Sequence, residues 1–154
     1  MTGTPQCFHW LRAMHLEEMD MKQGKLRHIA ISVPDAQKAA AFYEEAFGLK
    51  RVSESGIAVR LSDGVVNLTL LNFPTDADAG DERGKDFVGL HHMGVWVDDL
   101  AEAGERIEKA GGRFHSMEDA TAPIENAEHK YRDPYGVVID VSTRGWHGAK
   151  ADVE

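Results

Sequence analysis

The sequence predicts an α+β domain assembled from two successive βαβββ units. Three observations carry this reading: a strand pattern that recurs, an aspartate able to cap a helix after each copy, and matching turns before the last strand of each half. Leu26-Arg27-His28-Ile29-Ala30-Ile31-Ser32-Val33-Pro34-Asp35 is echoed by Leu90-His91-His92-Met93-Gly94-Val95-Trp96-Val97-Asp98-Asp99, with Leu, His, Val and Asp in the same order. Such internal self-similarity is the mark of a duplicated supersecondary unit.

Each copy opens on strand-like alternation and ends on an aspartate, Asp35 or Asp99, whose carboxylate can accept the orphan N–H groups of a first helical turn. The first helix is expected to bury Ala36, Ala39, Ala40, Tyr43, Ala46 and Phe47 and to stop at Gly48. The second is expected to bury Leu100, Ala103, Ile107 and Ala110 before Gly111-Gly112, with Glu102 at capping-box distance from Asp99. Three shorter strands follow each helix: 50–54, 57–61 and 65–73, then 113–117, 128–132 and 137–143. Ser62-Asp63-Gly64 and Asp133-Pro134-Tyr135-Gly136 supply the turns, each followed by Val-Val. Residues 75–87, acidic and without apolar periodicity, read as the linker between module one (25–74) and module two (88–144). Residues 1–24 stand apart as an extension, helical or disordered, and 145–154 as a tail.

Side chains alternate across a strand, which sorts the residues chemically. Ile29, Ile31, Val33, Val66, Leu68, Leu70, Met93, Val95, Val97, Ile139 and Val141 fall on one face, the side the helices cover. The other face collects His28, Ala30, Ser32, Asn67, Thr69, His92, Gly94, Trp96, Asp140 and Ser142. Two histidines, a carboxylate and an amide on one face, backed by an apolar one, predict the lining of a cavity. His91 is one residue out of phase and is expected to point away from it.

The composition bounds the rest. A chain of 154 residues suits one domain. A formal charge of −9 disfavours nucleic acid or an anionic membrane as partner. The lone Cys7 excludes an intrachain disulfide framework, and with Glu17, Glu18 and Asp20 near the start a cytoplasmic protein is the expectation. Phosphate-cradling, dinucleotide and serine-elbow motifs are missing from the sequence.

LRHIAISVPD, the helix ending FYEEAFGLK, GLHHMGVWVDDL and RDPYGVVIDV together resemble the vicinal oxygen chelate superfamily, the group of glyoxalase I, methylmalonyl-CoA epimerase, extradiol dioxygenases and bleomycin-binding proteins. The resemblance spans about residues 26–144 and implies a curved eight-stranded mixed sheet around a pocket. It implies a divalent metal held by His28, His92 and Asp140, with Asn67, or Thr69 on the same face, in the third ligand place. Asp140 stands where relatives usually carry the longer glutamate, so its oxygen is expected to fall short of a metal placed for glutamate.

Two imidazoles and a carboxylate bind Fe, Mn, Ni, Co or Zn and leave positions open for a substrate with adjacent oxygens. A metal there can stabilise an enolate, as in isomerases, epimerases and lyases. With Fe(II) the same set suits a ring-cleaving dioxygenase, and without metal the cavity would sequester an aromatic or drug-like ligand. Glu54 is a possible proton-transferring base, although a solvated charge explains it as well. Trp96 is a possible apolar wall and Arg60 a possible substrate contact. For Asp140 the competing reading is a buried carboxylate paired with a histidine or with Arg60. His115, His129 and Tyr131 have no secure parity, and His147 is expected at the periphery. Both modules lie in one chain, so a monomer or a homodimer would suffice.

Overall fold

The structure, a computed structural model, describes residues 22–80, 83–117 and 128–153. Cys7 and most of the N-terminal extension therefore lie outside the described residues. Eight strands form one sheet in the order β2-β3-β4-β1-β5-β8-β7-β6. Module one contributes β1 (Lys25–Ser32), α1 (Ala36–Phe47), β2 (Lys50–Ser55), β3 (Ala58–Ser62) and β4 (Asn67–Leu71). A short helix α2 (Asp76–Ala79) leads to module two, which comprises β5 (Gly89–Trp96), α3 (Leu100–Lys109), β6 (Arg113–Met117), β7 (His129–Arg132) and β8 (Val138–Ser142).

The strand order is the same in both halves, read outward from the centre. β1 and β5 pair antiparallel and join the modules, while β1–β4 and β5–β8 are the two parallel pairs. A parallel pair needs a crossover, and the helices supply it. Asp35 and Asp99 cap α1 and α3 through the backbone N–H groups of Lys38 and Glu102, as the repeat predicts. Gly48 ends α1 in the left-handed region at φ 69°, where a glycine meets no Cβ penalty.

Each helix builds a small core with its own module. Ala36 and Ala40 pack on Val59, Leu61 and Leu70, and Ala103 packs with Val97, Tyr131 and Val141. Small helical residues allow this close approach: a Cβ added to Gly104 would stand 2.5 Å from the Tyr131 hydroxyl. The buried stripe of α1 ends a turn earlier than its periodicity predicts. Ala46 is exposed, and Phe47, 66% exposed, packs edge-on to Phe42 on the outer flank instead. Ala110, likewise, is an exposed cap rather than a core residue.

The first part of the linker is helical. Thr75 caps α2 through Asp78, and Ala79 is buried with Ala30, Ala58, Leu71 and Phe73. The Thr75-x-x-Asp78 spacing is a capping signal that the acidic composition masked. No helix among the described residues is long and apolar enough to cross a membrane.

Candidate metal centre

Sheet register sets one row through the site, and His92 stands two residues along β5 from it, opposite Ala30. Asn67 on β4 pairs with His28 on β1, His28 with Gly94 on β5, Gly94 with Asp140 on β8, and Asp140 with Lys130 on β7. Residues in register across neighbouring strands share a face. Gly94 at the middle of the row makes room, since a Cβ there would lie 2.8 Å from the His28 Cβ and 2.5 Å from the Trp146 ring. A register shift between Ala30 and Ile31 gives β5 an extra residue opposite β1. That bulge breaks strict alternation, and it overturns the expectation for His91: its ring lies against His92, with Nδ1 2.7 Å from the His92 Nδ1.

Three ligand atoms converge. His28 Nε2 lies 3.0 Å from His92 Nε2, and His92 Nε2 lies 3.1 Å from Asp140 Oδ2. All three lie within 4.8 Å of one another. Asp140 is wholly buried, and its carboxylate reaches His92.

Each ring has a partner at its far end. Asn67 Nδ2 donates to the His147 carbonyl, which orients the amide so that its oxygen faces His28 Nδ1 at 2.7 Å; Thr69 donates to the same oxygen. His28 must therefore donate from Nδ1, leaving an Nε2 lone pair. On the other side His91 Nδ1 lies 2.7 Å from His92 Nδ1, and His91 Nε2 faces the Ala79 carbonyl at 3.4 Å. Two imidazole Nε2 atoms and a carboxylate oxygen thus face a common point.

Electrostatics agree with neutral rings. Burial, with His92 alongside, lowers the His28 pKa to about 3, and burial followed by the Lys130 and His91 charges puts His92 well below its ordinary value. The His92–Asp140 contact is accordingly not a salt bridge. The charge on Asp140 is balanced by Lys130, whose ammonium lies 3.1 Å from Oδ1 and 3.0 Å from Oδ2 and also 3.1 Å from Glu128 Oε1. Burial opposes that ammonium, but Asp140 and Glu128 hold its pKa above the ordinary lysine value. Burial and the Asp140 charge push Glu128 up to about 7.

These shifts predict the acid limb of the stability curve. As pH falls below the ordinary histidine value of 6.5, the unfolded chain takes up a proton that native His28 refuses until about 3. Native stability is thus fully present above pH 6.5 and is lost across that window, by about 1.4 kcal/mol per pH unit for one histidine. Glu128 works in the opposite sense, its native form holding an extra proton between 4.5 and 7. Urea titrations of wild type and His28→Gln isolate the histidine contribution. The wild-type curve should fall more steeply from pH 6.5 to 3.5, whereas parallel curves would contradict a neutral buried His28.

The other predicted site residues fall elsewhere. Asn67 and Thr69 orient His28 and do not face the common point. Glu54 lies on the edge strand β2, exposed and ion-paired at 2.9 Å with Arg51, so the solvated-charge explanation fits it. Arg60 on β3 contacts Ser55, and Lys130 takes the partnership with Asp140 that Arg60 was a candidate for. Trp96 donates to the Thr143 carbonyl and covers Gly145, away from the histidine rings.

Three residues of the site escaped sequence reasoning: Glu128, Lys130 and Trp146. Lys130 had a findable signal, since alternation along β7 and pairing with β8 put it opposite Asp140. Trp146 had none, because it lies beyond the last strand. Its ring stacks flat on His28 at 4.9 Å, and its indole N–H donates to Glu128 Oε2 at 2.9 Å. The tail then crosses module one, with the Gly148 carbonyl accepting from Ser62, Lys150 N–H donating to Val65, and Asp152 paired with Lys25. The predicted cavity is therefore covered by Trp146 over His28, which is 4% exposed; the centre is approached past the His92 and Lys130 side chains, 12% and 21% exposed.

Residues 25–141 match the glyoxalase/bleomycin resistance protein/dioxygenase superfamily. The chain belongs to that superfamily. It is 35% identical over 107 residues to human mitochondrial methylmalonyl-CoA epimerase, covering 62% of this chain and 58% of that protein. An ethylmalonyl-CoA/methylmalonyl-CoA epimerase of Cereibacter sphaeroides is 29% identical over 102 residues, 58% of this chain and 73% of the relative. The chain thus spans somewhat less than two-thirds of the human relative's length. Among solved structures, a methylmalonyl-CoA epimerase in complex with methylmalonyl-CoA and NH4+ superposes with a TM-score of 0.63 at 20% identity, over 77% of this chain and 92% of that one. Homoprotocatechuate 2,3-dioxygenase of Brevibacterium fuscum gives 0.61 at 19% identity, over 82% and 38%. Both likenesses bear out the superfamily fold.

Proposed function

We propose that this chain is a divalent-metal-dependent epimerase or isomerase of the glyoxalase I type, acting beside the carbonyl of a small acyl substrate. The observation that carries the proposal is the convergence of His28 Nε2, His92 Nε2 and Asp140 Oδ2 on one point. Ligands about 2.0–2.2 Å from one metal sit roughly 3.0–3.4 Å apart at octahedral or tetrahedral angles, so the spacings of 3.0 and 3.1 Å fit. A bound divalent ion would supply Lewis acidity to the substrate carbonyl.

The chain's own residues supply the rest. Asn67 fixes the His28 tautomer and His91 holds the far nitrogen of His92, the outer-shell role that keeps ligand nitrogens aimed. Glu128, with a pKa near 7 beside the approach, suits exchange of a proton with a carbon acid at neutral pH. The named relatives support a branched dicarboxylic acyl thioester as the substrate, because the matching curated proteins are methylmalonyl-CoA epimerases. The dioxygenase reading has only the fold likeness behind it.

Exchange of the C2 proton of methylmalonyl-CoA with solvent tests the proposal. In D2O the metal-loaded protein should wash deuterium into C2, visible as loss of the proton signal, and Glu128→Gln should slow exchange at least tenfold. A metal-loaded protein that leaves the proton in place contradicts the reading. A second reading, a metal-free binding protein, is favoured by one observation: Lys130 already neutralises Asp140. Purified protein that holds no divalent ion yet binds an aromatic ligand would support it.

A further inference from the structure

Lys130 grips both oxygens of Asp140, including Oδ2, the one that faces His92. A residue that merely positioned a metal-binding carboxylate would hold the other oxygen and leave the ligating one open. The ammonium has a second seat, Glu128 Oε1 at 3.1 Å, and its side chain is 21% exposed, on the side from which the centre is approached.

We propose that Lys130 is an internal cation that occupies the site's carboxylate in competition with the divalent metal and thereby sets the metal affinity. The inference rests on the metal-dependent reading above. In the metal-free state the ammonium offsets the negative charge that Asp140 and Glu128 bring into a buried site. When metal enters, Oδ2 passes to it, and Lys130 keeps Glu128 and Asp140 Oδ1. Entry therefore costs one ion-pair contact and sets a positive group beside a doubly charged ion. Removing the ammonium raises the energy of the empty site and removes repulsion in the filled one. Both effects tighten binding. A positioning role predicts the opposite sign, since loss of an outer-shell partner weakens metal binding about 10–100-fold.

Zn2+ titration by calorimetry of wild type, Lys130→Met and Lys130→Arg separates the two. Competition predicts binding at least tenfold tighter in K130M and a near wild-type constant in K130R. Equal or weaker binding in K130M overturns it while leaving the metal-dependent function standing. Failure of all three proteins to bind Zn2+ overturns both. Wild-type protein labelled with 15N-lysine gives a readout that needs no folded variant. The Lys130 Nζ signal should shift in step with Zn2+ up to one equivalent, and a signal that stays put through full loading overturns the proposal.

Discussion

Replacing His28 and His92 together by alanine abolishes stoichiometric metal binding: wild-type protein loaded with Co2+ and desalted should retain about one ion per chain, and the double variant less than a tenth of that. The expectation follows from the donor inventory, because Asp140 would remain as the one ligand of the three, already engaged by Lys130. Neither ring contributes a charge that its loss would unbalance, since burial holds both neutral. The packing cost is real, as His28 is sandwiched between His92 and Trp146. Far-ultraviolet circular dichroism should therefore accompany the metal analysis. A folded double variant that keeps a full equivalent of metal would place the ion elsewhere and contradict the centre described above.

The second large effect belongs to the tail. Trp146 is 5% exposed, stacks on His28, fills the space left by Gly94 and donates to Glu128. Truncating a buried tryptophan removes its transfer free energy and leaves a cavity, about 3–5 kcal/mol. It also strands a carboxylate oxygen that loses its donor. Trp146→Ala should accordingly lower the unfolding free energy by at least about 3 kcal/mol, which for a domain of this size is about 6–12 °C in Tm. Thermal and urea unfolding measure it directly. A loss below about 1 kcal/mol would mean that the tail contributes no more than a surface contact. The same variant should open a path to His28 from the tail side, so metal exchange should quicken even where equilibrium affinity is kept.

Much of this could be read from the residues before any coordinates. The repeat of Leu, His, Val and Asp fixed the two modules, because a duplicated unit carries its own register. Both helix caps followed from the aspartate that ends each copy, and the shared face of His28, His92 and Asp140 from period-2 alternation. What failed did so for identifiable reasons. His91 broke the alternation because a bulge inserts a residue, and no local signal marks a bulge without the partner strand. Lys130 is a charged residue on a short strand, and only pairing with β8 reveals that it faces the centre; Glu128 lies just before that strand. Trp146 packs through long-range contacts with His28 and Glu128, which periodicity cannot report. Asn67, read as a possible ligand, has its amide turned by the His147 carbonyl into a holder of the His28 tautomer.

The central claim is that one metal ion contacts His28, His92 and Asp140 together. Anomalous diffraction from crystals grown with Zn2+ or Co2+ tests it in a single map. A peak about 2.0–2.2 Å from His28 Nε2, His92 Nε2 and Asp140 Oδ2, with Lys130 drawn off Oδ2 toward Glu128, is the predicted result. A saturated crystal with no peak at that point, or with the ion bound to other side chains and the Lys130–Asp140 pair intact, would contradict it.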